Sequence, residues 1–156
     1  MRLLVLAVGT RMPAWVDDAF SEYAKRMPRH LCMELVEIRP EPRTGGKPAA
    51  ALCLVEAGRI ARALPAGAMK VALDERGREF STATFAKWME RMTGEGRDIA
   101  FMIGGADGLA PEIRKTAELT LRLSAFTLPH ALARVILAEQ LYRAVSIIQN
   151  HPYHRA

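Results

Sequence analysis

No stretch of this sequence is both long and free of charge. Its most apolar segment, Ala131 to Ile148, carries Arg134, Glu139, Gln140 and Arg143, groups that a bilayer interior tolerates poorly, so a membrane span is not expected. Met1 to Gly9 is apolar but too short for the core and spacer of a secretion signal, has the character of a strand and runs straight into foldable sequence. The expected location is the cytoplasm. Cysteine is scarce. Cys32 and Cys53 show no CxxC spacing and have no histidine cluster beside them, which excludes a Cys/His metal framework; both read as reduced core residues, and no metal is expected.

Several phosphate and nucleophile motifs are also missing. A P-loop needs a glycine five residues before a Gly-Lys pair and a hydroxyl after it, so that backbone amides and the lysine wrap the phosphates. Gly45-Gly46-Lys47 is followed by Pro48 and lacks the earlier glycine, and nucleotide hydrolysis is not supported. A pyrophosphate-binding GxGxxG turn is absent after the first strand, where Gly9 stands alone, and the spacing in Gly104-Gly105-Ala106-Asp107-Gly108 is wrong for one. A conventional dinucleotide site or Rossmann-type methyltransferase is therefore not expected. No GxSxG elbow occurs either, which weakens a hydrolase reading.

What is present is a chain of 156 residues, half of them apolar, enough for one domain over 1–156 with a single real core. The 22 Lys and Arg exceed the 17 Asp and Glu, giving a formal charge of +5, which suits an RNA partner without establishing one. Short β-type runs alternate with helical patterns. Strands are predicted over Arg2 to Gly9, Leu31 to Ile38, Met69 to Asp74, Asp98 to Ile103 and Leu119 to Ser124. Helices are predicted over Pro13 to Met27, from near Pro48, over Ser81 to Met92 with Ser81 as cap, over Pro111 to Glu118 with proline in its first turn, and over His130 to Ile148. This is an α/β rhythm with a sheet flanked by helices. Residues 39–48, where prolines and glycines surround Arg39, Arg43 and Lys47, read as an exposed loop, either RNA-facing or an ordinary charged connection.

Three strand ends attract attention as ligand loops: Leu73-Asp74, the run Ile103-Gly104-Gly105-Ala106-Asp107-Gly108, and Leu123-Ser124-Ala125-Phe126-Thr127-Leu128-Pro129-His130. Open α/β sheets bind ligands at the carboxyl ends of their strands, and glycine there lets backbone approach a ligand. Taken alone, the glycine run reads first as a simple turn requiring positive φ. On the last helix Arg134 falls on an apolar face with Leu137, Ala138 and Leu141, and needs either a structural partner or a ligand. Glu139 and Arg143 have the favourable i,i+4 order of an intrahelical pair. A helix apolar nearly all round must be covered on several sides, which suggests a homodimer. Three of the four histidines, His130, His151 and His154, lie in the closing stretch with Tyr153 and Arg155, a set suited to stacking on a base and pairing with phosphate.

Read together, Leu73-Asp74, Ile-Gly-Gly-x-x-Gly from Ile103, Leu-Ser-x-x-Thr-Leu-Pro-His from Leu123, Arg134-Val135, the run Glu139 to Ala144 and the ending His-Pro-Tyr-His-Arg resemble the RlmH family of SPOUT-class methyltransferases; the opening Leu-Ala-Val-Gly-Thr-Arg-Met-Pro is similar too. The resemblance implies a SPOUT-type α/β fold, a parallel sheet flanked by helices with a C-terminal trefoil knot, an exception to the rule against knots. It implies a homodimer and S-adenosyl-L-methionine held by Leu73, Gly104, Gly105, Leu123, Ser124, Ala125, Phe126, Thr127 and Leu128. The implied reaction is methylation of the N3 nitrogen of a pseudouridine in large-subunit ribosomal RNA, on assembled ribosomes. His130, Arg143, Tyr153, His154 and Arg155 are the candidates to surround the target base. Two alternatives stay open: a ribosome-binding protein that lost its cofactor, and an enzyme acting on transfer RNA.

Overall fold

The computed structural model describes residues 1–155. Five strands, β1 (Arg2–Val8), β2 (Cys32–Ile38), β3 (Met69–Glu79), β4 (Ile99–Ile103) and β5 (Leu119–Arg122), form one sheet in the order β2-β1-β4-β3-β5. Every pairing in it is parallel. The helices are α1 (Ala14–Arg26), α2 (Ala49–Ala63), α3 (Thr82–Glu95), α4 (Pro111–Thr116) and α5 (His130–Ile148), followed by a short 3₁₀ turn over Pro152–Arg155. Among the described residues no helix is long and apolar enough to cross a membrane.

The apolar continuity of β1 follows from its place. With neighbours on both edges and helices on both faces, it has no wet side and therefore no polar alternation. Leu3, Val5 and Ala7 point into a layer with Phe20 of α1, Phe85 and Trp88 of α3, and Leu137 and Leu141 of α5. Leu4, Leu6 and Val8 point the other way, toward Cys53, Ala57 and Ile60 of α2 and Ile113 of α4. The two faces of one strand thus found two cores, as the two-residue period of a strand dictates.

Local signals placed the helix starts. The Ser81 hydroxyl accepts from the Thr84 amide at 3.1 Å, capping α3, and Pro111 opens α4, where its missing N–H costs nothing. Two expectations need correction. Cys32 is exposed, because β2 is an edge strand whose alternation turns that side chain outward; only Cys53 is buried. β3 does not stop at Asp74 but resumes after a bulge: Leu73 and Arg78 both pair with Leu121, and residues 74–77 bow out between them. A Cβ on Gly77 would lie 2.6 Å from the Leu121 carbonyl carbon, so the returning strand needs glycine to approach β5.

Candidate ligand cavity and the carboxyl-terminal cluster

At the carboxyl ends of β3, β4 and β5 lies a cavity of about 550 Å³, within the range of small-molecule clefts. Its walls include the three strand ends singled out from the sequence, Leu73-Asp74, Ile103 to Gly108, and Leu123 to His130 apart from Ala125, joined by Glu75, Arg76, Arg114, Leu121, Arg122 and Ala133. Ala125 instead sits outside, where its carbonyl, like that of Ser124, accepts from the Arg122 guanidinium. The Ser124 hydroxyl accepts from the Phe126 amide at 2.9 Å. This internal bonding holds the loop open and leaves Phe126 84% exposed at the rim.

The glycine run is shaped by sterics. A Cβ on Gly104 would stand 2.3 Å from the carbonyl carbon of Gly108, far inside any tolerable contact, so the turn closes on itself only with glycine there. Gly105 and Gly108 face each other in an antiparallel bridge, and the Gly108 amide donates to the Gly105 carbonyl.

Charges of both signs line the cavity. Asp74 is nearly buried and receives the Arg114 guanidinium at 2.8 Å and the Arg76 amide at 2.8 Å. Burial opposes its ionisation, but the hydrogen bonds from Arg114 and Arg76 outweigh it and hold the carboxyl below its usual range. Glu75, Asp107, Arg122, Ser124, Thr127 and His130 complete the polar lining. Such a surface fits S-adenosylmethionine: carboxylates suit its sulfonium and ammonium, the basic groups suit its carboxylate, and apolar Leu73, Leu123 and Leu128 suit the adenine.

His130 opens α5 at the cavity wall. Arg143, Tyr153, His154 and Arg155 are elsewhere. Thirteen residues separate His130 from Arg143, roughly 20 Å along the helix axis, and the four gather at its far end. There the Arg143 guanidinium pairs with Glu139 at 2.6 Å and covers the Tyr153 ring at 4.9 Å from its centroid. Tyr153 donates to Glu139 at 3.2 Å and meets the edge of Tyr142, ring centroids 4.7 Å apart. Burial first, then Tyr23 and the Glu139 carboxylate, push the Tyr153 phenol well above its ordinary value, so it stays neutral and cannot serve as a base near neutral pH. Within one chain the five proposed base-facing residues are therefore divided between the two ends of α5.

Arg134 takes a structural partnership. Completely buried, it donates to Glu37 at 2.9 Å and to the Gly9 carbonyl at 2.8 Å, fastening the ends of β1 and β2 beneath His130. Gly9 has φ +136°, and a Cβ there would lie 2.9 Å from the guanidinium. Sequence reasoning also missed a charge cluster: the 39–48 loop is exposed, yet the Arg43 guanidinium turns inward to Glu56, a buried α2 residue, and to Asp107 at 3.0 Å.

Comparison with known proteins gives a consistent picture. A family model described as predicted SPOUT methyltransferase matches residues 1–154. The ribosomal RNA large subunit methyltransferase H of Bordetella avium (strain 197N) is 54% identical over 156 residues, and that of Burkholderia multivorans 56% over 156; in both cases all of each chain is covered. Among solved structures, a probable methyltransferase from Bordetella pertussis Tohama I shares the fold with a TM-score of 0.61 at 20% identity, covering 92% of this chain and 96% of its own. A structure concerned with 2-OH methylation of C/U34 on tRNA matches with a TM-score of 0.53 at 18% identity, covering 93% and 97%.

Proposed function

The chain belongs to the SPOUT methyltransferase family, and from that premise we propose that it methylates large-subunit ribosomal RNA with S-adenosylmethionine, at the N3 nitrogen of a pseudouridine on assembled ribosomes in the cytoplasm. The observation that carries the cofactor half of this reading is the cavity itself, walled by Leu73, Gly104, Gly105, Leu123, Ser124, Phe126, Thr127 and Leu128. The RNA half rests on relatives of the same full length, named ribosomal RNA large subunit methyltransferase H, and on the basic balance of the chain. A chain threaded as a trefoil knot through these loops is part of the same proposal.

When bound, S-adenosylmethionine supplies a methyl group with a neutral thioether as its leaving group. The protein's tasks are then to hold a weakly acidic ring nitrogen in line with that methyl and to ease loss of its proton. His130 is the only member of the carboxyl-terminal set at the cavity. Arg143, Tyr153, His154 and Arg155 would reach a cavity only from a second subunit, with Tyr153 as a neutral stacking surface and the arginines offsetting charge on the deprotonating base. A homodimer is supported by the first half of α5, where Leu132, Val135 and Ile136 remain half-buried, an apolar strip beside the cavity that a second copy would cover.

The test is incubation of the purified protein with labelled S-adenosylmethionine and ribosomes lacking the modification, followed by nucleoside mass spectrometry. Methylpseudouridine is expected only with assembled ribosomes. Incorporation into transfer RNA alone would overturn the substrate, and absence of cofactor binding by calorimetry would overturn the enzyme.

A further inference from the structure

The 39–48 loop carries one arginine that, though partly exposed, is tied back to the body of the protein. Arg43 reaches across to three acceptors: the Glu41 carbonyl at 2.6 Å, one oxygen of Glu56, and Asp107 at 3.0 Å. The same Glu56 oxygen accepts the Glu41 amide at 3.0 Å. Arg59, one turn along α2, pairs with Glu41 at 2.5 Å and donates to the Arg39 carbonyl at 2.8 Å. The loop is thus pinned to α2, and through Arg43 it grips the middle of the glycine run that forms one cavity wall.

The position of Glu56 sharpens the point. It is 2% exposed and its second oxygen has no hydrogen-bond partner; that oxygen would lie 3.6 Å from a Cβ placed on Gly105. A buried carboxylate is retained at a cost unless a cation answers it, and Arg43 is the cation that does. The glycine turn is closed by its own Gly105–Gly108 bridge and touched by the Cys53 thiol at the Asp107 and Gly108 carbonyls; of its two side chains, Ala106 and Asp107, the Asp107 carboxylate is the charged handle by which a neighbouring element takes hold of it.

We propose that Arg43 is a positioning residue for the cofactor: anchored on Glu56, it holds Asp107 and so keeps the Gly104–Gly108 wall in its ligand-ready shape. Arg43 does not line the cavity, whereas Asp107 does, so Arg43 acts through Asp107. Preformed geometry of this kind tightens binding because less ordering remains to be done when the ligand arrives. The inference rests on the reading of the cavity as the S-adenosylmethionine site.

Titration calorimetry of the full chain with S-adenosylmethionine and with S-adenosylhomocysteine comes first; if the unaltered protein binds neither, the cavity reading fails rather than the tether. Given binding, Asp107→Ala and Arg43→Ala are each expected to weaken Kd and raise KM for the cofactor by about three- to fivefold, a size suited to a half-exposed ion pair. For Arg43→Ala, which lies outside the cavity lining, the kcat at saturating cofactor and the KM for ribosomes should stay near their original values. The double variant should be no worse than either single one. Should Arg43→Ala fail to fold because Glu56 is left unpaired, Arg43→Ala with Glu56→Gln takes its place in the cycle. Unchanged cofactor affinity in either variant overturns the proposal. So does an Asp107→Ala effect that persists undiminished once Arg43 is gone, since Asp107 would then act by touching the cofactor directly.

Discussion

Two residues show how far chemistry can be read from one side chain and where it stops. An arginine among Leu137, Ala138 and Leu141 announces that it must have a partner, but not which one: Glu37 is 97 residues away and Gly9 is 125. Removing the clamp by Arg134→Ala is expected to cost about 2–4 kcal/mol, from two charge-assisted hydrogen bonds and the cavity left behind. Thermal melting should fall by roughly 5–15 °C for a chain of this size; a shift below about 1 °C would show that Glu37 and Gly9 do not depend on it. Asp74 makes a prediction in pH. Its folded carboxyl titrates below the ordinary value, so the stability it contributes is fully present above the unfolded carboxylate range and is lost as pH falls through the folded value. Asp74→Asn should therefore lower stability by a constant amount above about pH 5 and by progressively less below about pH 4, which urea titrations across that range would reveal. A penalty that does not shrink in acid would assign the role of Asp74 to shape rather than charge.

At the scale of elements, most of the secondary structure was legible because each piece obeyed a local rule. Ser81 capped, Pro111 started, and the apolar period of β1 matched a strand covered on both faces. What escaped was decided by distant pairing. The second half of β3 exists because Leu121 and Arg122 receive Arg78 and Glu79, and no periodicity within 74–79 encodes that. The closing residues read as suited to a pocket or RNA surface, and no local rule foretold that in the single chain they fold back on α5. The reversal turns on Asn150, whose φ of +55° lies in the left-handed region and lets the His151 amide reach the Ser146 carbonyl at 2.8 Å, a helix ending that asparagine tolerates and branched residues do not. Asn150→Val should cost about 1–2 kcal/mol of local stability and speed hydrogen exchange at the His151 amide, whereas Asn150→Gly should leave both nearly unchanged. Equal exchange in the two variants would mean that the aromatic contacts of Tyr153 alone hold the tail.

For the whole molecule, the sheet order follows from long-range pairing that no single segment specifies, while the cavity could be anticipated because parallel sheets collect their loops at one end. The proposed base-facing set does not share one place within a single chain: the length of α5 keeps His130 apart from the tail. If a second copy supplies the tail, subunits must complement one another. Equimolar mixing of a Gly104→Ala chain with a Tyr153→Ala, Arg155→Ala chain should then restore about a quarter of the original methyl transfer, since half of the dimers are mixed and one of their two sites is intact. No recovery, with mixed dimers demonstrated, would return the whole reaction to one chain.

The bowed segment of β3 gives this rim a freedom that the rest of the sheet lacks. Both of its feet stand on Leu121, so the number of residues between them is not written into the register of any strand. Recharging the exposed Glu75 and Arg76, or adding residues between Asp74 and Gly77, would leave the hydrophobic layers untouched and alter what meets an incoming ligand. In evolutionary terms it is a cassette: a stretch in which sequence can drift toward new partners while the scaffold is held constant, with Gly77 marking where variation has to end.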